Sequence, residues 1–140
     1  MAGLSHKNTT FDQLAVGQCA SIERSVTAND LYLFAHVSGN TNPMHMPGAD
    51  VDQDGSVDTV APSLWLGSLI SSVLGTILPG AGTLYHGQSF RFLGRARLGD
   101  RLTVSVRCIE KRETPRAVFE TKVARHDGTV LLEGVAEVDA

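Results

Sequence analysis

Cysteine is almost missing from this chain of 140 residues, which has only Cys19 and Cys108. Two cysteines so far apart have neither the spacing of a zinc site nor that of a redox motif, so the sequence indicates no metal or redox centre built on thiolates. Residues 1–10 are polar and do not resemble a secretory signal. We therefore expect free thiols in a cytoplasmic protein.

An excess of positive charge is also missing, because the formal net charge is -3. This balance argues against a general nucleic-acid binder. Lys and Arg are nevertheless concentrated in residues 91–116. This segment contains eight of them and only three acidic residues, a net charge of +5. Two interpretations stay open: a basic flank that meets an anionic ligand such as coenzyme A or an acidic carrier protein, or a solvated strand face.

Residues 59–90 contain no Asp, Glu, Lys or Arg. Prolines and glycines interrupt this segment, and its most apolar part, residues 64–78, is shorter than the roughly 20 residues that a membrane span needs. We therefore expect no membrane partner and predict instead a helix that a sheet buries on nearly all sides. Small residues such as Gly67 and Ser71 lie between its large apolar ones and would allow close approach of strands or of a ligand chain.

The rest of the chain alternates between strand and helix signals. Thr27 with Asp30 predicts the start of a helix over residues 28–38, and Gly39 suits its end. The uncharged helix is predicted to begin near Ser63 and to stop at residues 78–80. Strands are predicted over residues 17–26, 83–93, 101–111, 116–126 and 130–138, the last two joined by the turn Asp127-Gly128. The pattern predicts an α+β domain over residues 11–140 after a flexible leader over residues 1–10, with an antiparallel sheet wrapped around a long helix, the hotdog fold.

The most informative segment is Phe34 to His45, where the first helix ends in a tight polar loop. This loop presents two hydrogen-bonding side chains, Asn40 and His45, and Pro43 restricts its backbone. Residues 38–45 resemble the loop Ser-Gly-Asp-x-Asn-Pro-x-His of the MaoC-like (R)-specific enoyl-CoA hydratases. Further segments resemble the same family in the same order: residues 11–17, residues 78–83 with Gln88, and residues 98–104. Residues 63–76 look most like the MaoC-like domains that precede phosphate acyltransferase domains.

The resemblance implies a hydratase or dehydratase, a lyase that reversibly adds water to the 2,3 double bond of an enoyl thioester. In that family an Asp and a His hold the water, and a backbone N–H at the start of the buried helix stabilises the thioester oxyanion. The resemblance assigns these positions to Asn40, His45 and Ser63, with Ser71 near the water. It further implies a substrate site beside Pro43, Trp65 and Gly67, an acyl-CoA or acyl-carrier-protein substrate, no metal or redox cofactor, and a homodimer.

Two departures from the family pattern bear on activity. Asn40 stands where the family has Asp, and an amide can orient water but cannot act as a base. Because general acid–base catalysis contributes roughly 10²–10⁴-fold, we expect a hydratase of reduced activity. The family's His-Gly-Met before the buried helix is Pro62-Ser63-Leu64 here, so the N–H of residue 63 is retained without the conformational freedom of glycine.

Other readings of these residues stay open. The chain is alternatively a non-catalytic acyl-CoA-binding hotdog module that lost its base, and a hotdog thioesterase ranks last because residues 59–90 contain no carboxylate. His45 and Asn40 would then only stabilise their loop, Ser71 would be an ordinary helix serine, and Trp65 a core or interface residue. Residues 50–61 resemble the first half of an EF-hand calcium loop, but Ala61 occupies the position of the bidentate Glu, so a solvated acidic loop is the alternative.

Overall fold

Six antiparallel strands form one sheet in the computed structural model, which describes residues 7–48 and 58–140. The strand order is β1-β4-β5-β6-β2, and the short β3 also pairs with β6. The elements in chain order are β1 (Cys19–Ser25), α1 (Ala28–Ser38), a 3-10 turn (Pro43–His45), α2 (Ser63–Thr76), β2 (Leu84–Gln88), β3 (Arg91–Phe92), β4 (Arg101–Lys111), β5 (Arg116–Arg125) and β6 (Val130–Asp139). The predicted α+β hotdog fold is confirmed.

The core lies between α2 and the concave face of the sheet. Ile70 and Val73 of α2 are fully buried, as are Val104 of β4 and Phe119 of β5. Alternating burial along β4 explains why this strand was recognisable in the sequence, because one face is covered and the other is solvated.

The expectation that a sheet buries α2 on nearly all sides is wrong for one face of the helix. Leu64 is 62% exposed, and Ser68, Ser71 and Gly75 are exposed as well. These four residues recur at the three- and four-residue spacing that places side chains on one helical face. The sheet covers only the opposite face, so within this chain α2 keeps an open stripe of small residues.

The strand predicted over residues 83–93 is two strands, because the chain leaves the sheet edge at Ser89 and Phe90. The carbonyl oxygen of Ser89 lies over Gly134 of β6, at a point only 1.7 Å from where a β-carbon of that residue would stand. The Phe90 ring then packs on Gly67 of α2, where a β-carbon would be 2.8 Å from the ring. Both glycines therefore serve close packing.

Residues 7–10, the described part of the predicted leader, form backbone hydrogen bonds with the segment after α2. Asn8 pairs with Gly80, the Thr9 N–H donates to the Pro79 carbonyl at 2.7 Å, and the Ala81 N–H donates to the Lys7 carbonyl at 2.8 Å. The leader is held here because the backbone after α2 turns through Gly80 (φ 103°) and exposes donors and acceptors that need partners.

Half of the basic flank, four of its eight Lys and Arg residues, is neutralised by acids from other parts of the chain. Arg101 binds Glu23, Arg112 binds Glu137, and Arg116 binds Asp139, at 3.2, 2.6 and 2.8 Å. Arg97 forms a further pair with Asp58. Among the residues described, the other four have no carboxylate partner: Arg91, Arg95, Arg107 and Lys111. None of the described helices is both long enough and apolar enough to cross a membrane.

Candidate active site

The loop after α1 is held by its own side chains. The helix ends at Gly39 in the left-handed conformation (φ 76°), and its N–H donates to Ala35 O at 2.9 Å. Asn40 Oδ1 then accepts the Asn42 N–H, and Asn42 Oδ1 accepts the Met44 N–H, each at 3.2 Å. Such side-chain turns order a short loop without any regular structure. Asn40 is exposed to solvent, and its NH₂ group can donate further hydrogen bonds.

His45 is half-buried at the end of the 3-10 turn, and one of its ring nitrogens is fixed. His45 Nδ1 lies 2.7 Å from the carbonyl oxygen of Val60. A carbonyl only accepts, so Nδ1 carries the proton and the neutral ring has its lone pair on Nε2. The Val60 N–H donates back to Met44 O at 3.0 Å, which fastens the two segments together.

The segment that holds His45 leads directly into α2. Thr59, Val60 and Ala61 run beside residues 96–98, with Ala61 N–H donating to Ala96 O at 2.8 Å. Pro62 follows as the N-cap and Ser63 begins the helix. No side chain caps this helix end within the described residues. Val60, which binds His45, is separated from Ser63 by only two residues.

Ser71 lies eight residues beyond Ser63 on α2, about 12 Å along the helix axis, on the exposed stripe. Its predicted contact with the reacting water stays a prediction.

The three predicted substrate-binding residues have structural roles in this chain. Pro43 occupies the first position of the 3-10 turn, where its fixed φ suits the backbone. Trp65 is buried, lies under the Arg24 guanidinium at 5.9 Å, and lines an open groove between α1 and α2. Gly67 packs against Phe90. Their contact with substrate stays a prediction.

The sequence analysis missed two features of the site. One is the Val60 carbonyl, which no side-chain motif reveals. The other is Arg95, which lines the same small cavity as Ser63. The excess of positive charge over residues 91–116 indicated this region, but it did not indicate that Arg95 lies beside Ser63 of α2.

Two other side chains with reactive groups, those of Cys108 and Tyr85, have raised pKa values. Burial raises the pKa of the Cys108 thiol, so it stays a poor nucleophile. Burial raises the pKa of Tyr85 to about 12, and its hydroxyl donates to Gln88 Oε1 at 2.9 Å. Within residues 7–48 and 58–140, no three His, Cys, Asp or Glu side chains are grouped so as to hold a metal ion. Residues 49–57 of the calcium-like loop lie outside the described residues, and Asp58 binds Arg97.

A six-stranded antiparallel sheet packed against one long helix defines a hotdog protein, and His45 ties the polar loop after α1 to the segment that leads into that helix. The sequence matches the family described as MaoC like domain over residues 14–129. The chain belongs to this family.

Relatives and solved structures agree with this assignment. An (R)-specific enoyl-CoA hydratase of Rhodospirillum rubrum is 35% identical over 133 residues, which cover 91% of this chain and 89% of that protein. An enzyme of the same name from Aeromonas caviae is 32% identical over 126 residues, covering 89% and 94%. The unliganded R-hydratase PhaJ1 from Pseudomonas aeruginosa has a TM-score of 0.91 and 37% identity, covering 97% of this chain and 88% of that chain.

Proposed function

We propose that this chain is an (R)-specific enoyl thioester hydratase and dehydratase in which His45 is the proton-transfer group. One observation carries the proposal: Val60 O fixes the proton of His45 on Nδ1 and so leaves a lone pair on Nε2, and Val60 lies three residues before Ser63, where α2 begins. Membership of the MaoC-like family and relatives named as enoyl-CoA hydratases support the reaction class.

In the hydration direction Nε2 of His45 accepts a proton from a water molecule. The resulting hydroxide adds to C3 of the enoyl thioester, and the electrons move to the thioester oxygen. The Ser63 N–H and the dipole of α2 stabilise the negative charge on that oxygen. The NH₂ group of Asn40 donates a hydrogen bond to the water oxygen and orients it, because its own Oδ1 is held by Asn42.

We further propose a homodimer and an acyl-CoA or acyl-carrier-protein substrate. Both carriers are anionic near the thioester arm, and Arg95 is a cation without a carboxylate partner among the described residues, in the cavity that Ser63 lines. The open stripe on α2 supports the dimer, because it leaves the apolar Leu64 exposed in a single chain.

The test is hydration of short and medium 2-enoyl-CoA thioesters, followed by loss of the absorbance of the conjugated thioester. We expect wild type to turn over and His45→Ala to lose roughly 10²–10⁴-fold in kcat, the usual contribution of general acid–base catalysis. His36→Ala is the matched control, since His36 is an exposed histidine on α1. Equal activity of wild type and His45→Ala would contradict the role of His45.

A second function, a non-catalytic acyl-CoA-binding module, is favoured by one observation, the amide at position 40. It predicts that wild type binds an acyl-CoA in calorimetry without converting it. It also predicts that no 2-enoyl chain length gives turnover above the rate without enzyme. A single substrate with His45-dependent turnover would exclude this reading.

A further inference from the structure

The proposed site has two hydrogen-bonding side chains, those of Asn40 and His45, and only one of them can exchange a proton. The amide of Asn40 neither gains nor loses a proton near neutral pH, and its Oδ1 is already bound to the Asn42 N–H at 3.2 Å. A pair of groups, one acting as base and one as acid, is therefore not available from the loop itself.

Only one ring nitrogen of His45 is free to exchange protons with substrate and water. Nδ1 is engaged with Val60 O at 2.7 Å, and Val60 is in turn tied to Met44. A proton leaving Nδ1 would break this bond and leave the carbonyl unpaired. All proton exchange with substrate and water must pass through Nε2.

Within the described residues, the carboxylates of the neighbouring elements are already bound to other groups. Helix α2 contains no charged side chain. Helix α1 has Asp30 in its first turn, which accepts from Arg24 at 2.8 Å and from the Thr27 hydroxyl at 2.7 Å, and the exposed His36 in its last turn. Two further carboxylates lie on the segments next to His45, and both are bound within the described residues. Asp58, two residues before Val60, is paired with Arg97. Asp100 accepts the backbone N–H of Arg97 at 2.8 Å.

We propose that His45 carries out both proton transfers of the reaction through Nε2, as a single acid–base group. The inference rests on the proposed hydratase function. Nε2 takes a proton from water while the hydroxide forms its bond to C3 and the C2=C3 electrons pass to the thioester oxygen. The same proton then moves from Nε2 to C2 as the thioester carbonyl re-forms. The imidazole returns to its starting state, so no other acid or base is consumed.

This sequence requires the neutral ring at the start of each direction. The rate of hydration should therefore depend on one ionisation, with activity lost below it and a plateau above it. Two cooperating groups would instead give a bell-shaped profile, because one must be ionised and the other protonated.

The experiment measures kcat/KM for enoyl-CoA hydration across the pH range in which imidazole titrates, for wild type, Asn40→Asp, Asp58→Asn and His45→Ala. We expect a single ionisation in wild type and the same profile shape in Asp58→Asn. Asn40→Asp should become bell-shaped, because it restores a second group. His45→Ala should lose the ionisation together with about 10²–10⁴-fold of the plateau rate.

Each contrary result has its own meaning. A bell-shaped wild-type profile that becomes single in Asp58→Asn would identify Asp58 as the second group and overturn the inference. A bell-shaped profile that persists in both would place the second group elsewhere, which also overturns it, while the hydratase function stands. Absence of turnover with every chain length would overturn the proposed function, and this inference with it.

Discussion

The amide at position 40 differs from the family's carboxylate by one atom, yet the surrounding loop tolerates either. Asn40 uses only Oδ1 in the fold, to accept the Asn42 N–H. A carboxylate accepts the same bond, so the structure does not require the amide. The hydrogen bonds of the loop therefore do not distinguish an amide from an acid at position 40, and we expect the choice to affect chemistry rather than folding.

Asn40→Asp should raise kcat for enoyl-CoA hydration about 10²-fold, since it adds an acid–base group beside His45. Steady-state kinetics at saturating substrate would measure the change. Asn42→Asp is the matched control: it adds the same charge to the same loop, and its carboxylate still accepts the Met44 N–H. An equal gain in both variants would show that charge in the loop, rather than a group at position 40, is responsible.

His45 illustrates what a residue pattern cannot predict. Its spacing from Asn40 was visible in the sequence, but its tautomer depends on Val60, fifteen residues away. A backbone carbonyl leaves no signature in a motif, because every residue has one. The chemical state of the ring follows only from the three-dimensional contact.

At the scale of helices, strands and turns, sequence signals predicted correctly those features that depend on contacts between residues close together in the chain. The Thr27 hydroxyl accepts the Asp30 N–H at 3.2 Å, and Asp30 Oδ2 accepts the Thr27 N–H at 3.1 Å, so the predicted start of α1 is a full capping box. The hairpin between β5 and β6 turns through Gly128 at φ 90°, as its Asp-Gly pair predicted. Both features are decided within a few residues.

The division of residues 83–93 into two strands could not be predicted in the same way. It depends on Gly134, more than forty residues later, which leaves room for the Ser89 carbonyl. Gln88 adds a second distant tie, donating to Thr121 Oγ1 at 3.0 Å. Thr121 is fully buried and donates to Gly134 O, so the strand break is stabilised by partners that no local window contains.

Gly134→Ala should destabilise the protein by about 1–3 kcal/mol, the usual cost of overpacking, because its β-carbon would stand 1.7 Å from the Ser89 backbone oxygen. Denaturant unfolding would measure the loss. Gly87→Ala on β2 is the control, since a β-carbon there meets nothing within 4 Å. Similar losses in both variants would indicate that chain flexibility, not the contact with Ser89, determines the effect.

Asp139 ties three strands together and gives the protein an acid-sensitive contact. The hydrogen bond from Arg116 of β5, at 2.8 Å, lowers the pKa of this β6 carboxyl, and His86 of β2 contributes at 2.6 Å. A carboxyl with a lowered pKa in the folded state stabilises the fold fully above its unfolded pKa of about 3.9, and loses that contribution as the pH falls through the folded value.

Asp139→Asn should therefore reduce the denaturation midpoint near neutral pH, and the gap to wild type should close as the pH falls below about 4. Urea unfolding at a series of pH values would measure this convergence. A gap that stays constant down to acid pH would mean that the amide loses packing or hydrogen bonds, and that ionisation of Asp139 does not contribute.

At the scale of the whole molecule, the charge pattern predicted less than the hydrophobic pattern did. The excess of arginine in residues 91–116 suggested a surface for anions, but the fold returns distant acids to it, as in the pairs Arg101–Glu23 and Arg112–Glu137. Pairing across strands depends on register, which a charge count along the chain does not contain. Fewer cations are therefore left to bind an anionic ligand, and one of them, Arg95, lines a cavity with Ser63 of α2.

The two edges of the sheet differ in a way that bears on the proposed homodimer. At one edge, β1 presents Glu23 and Arg24, charged side chains of the kind that discourage further strand pairing. At the other edge lies β2. Exposed apolar side chains occur on β2, on and just after β3, and in the first turn of α2, namely Leu84, Phe92, Leu93 and Leu64. A second copy would bury this surface best at the β2 edge.

Leu84→Asp should therefore shift the protein from dimer toward monomer, because it places a charge where the proposed interface buries a side chain that is 64% exposed in the single chain. Sedimentation equilibrium over a range of concentrations would measure the shift. Val16→Asp provides the matched control, since Val16 is 61% exposed and comes just before β1 at the opposite edge. Dissociation by Val16→Asp instead of Leu84→Asp would place the interface at β1, and a monomeric wild type would exclude the homodimer.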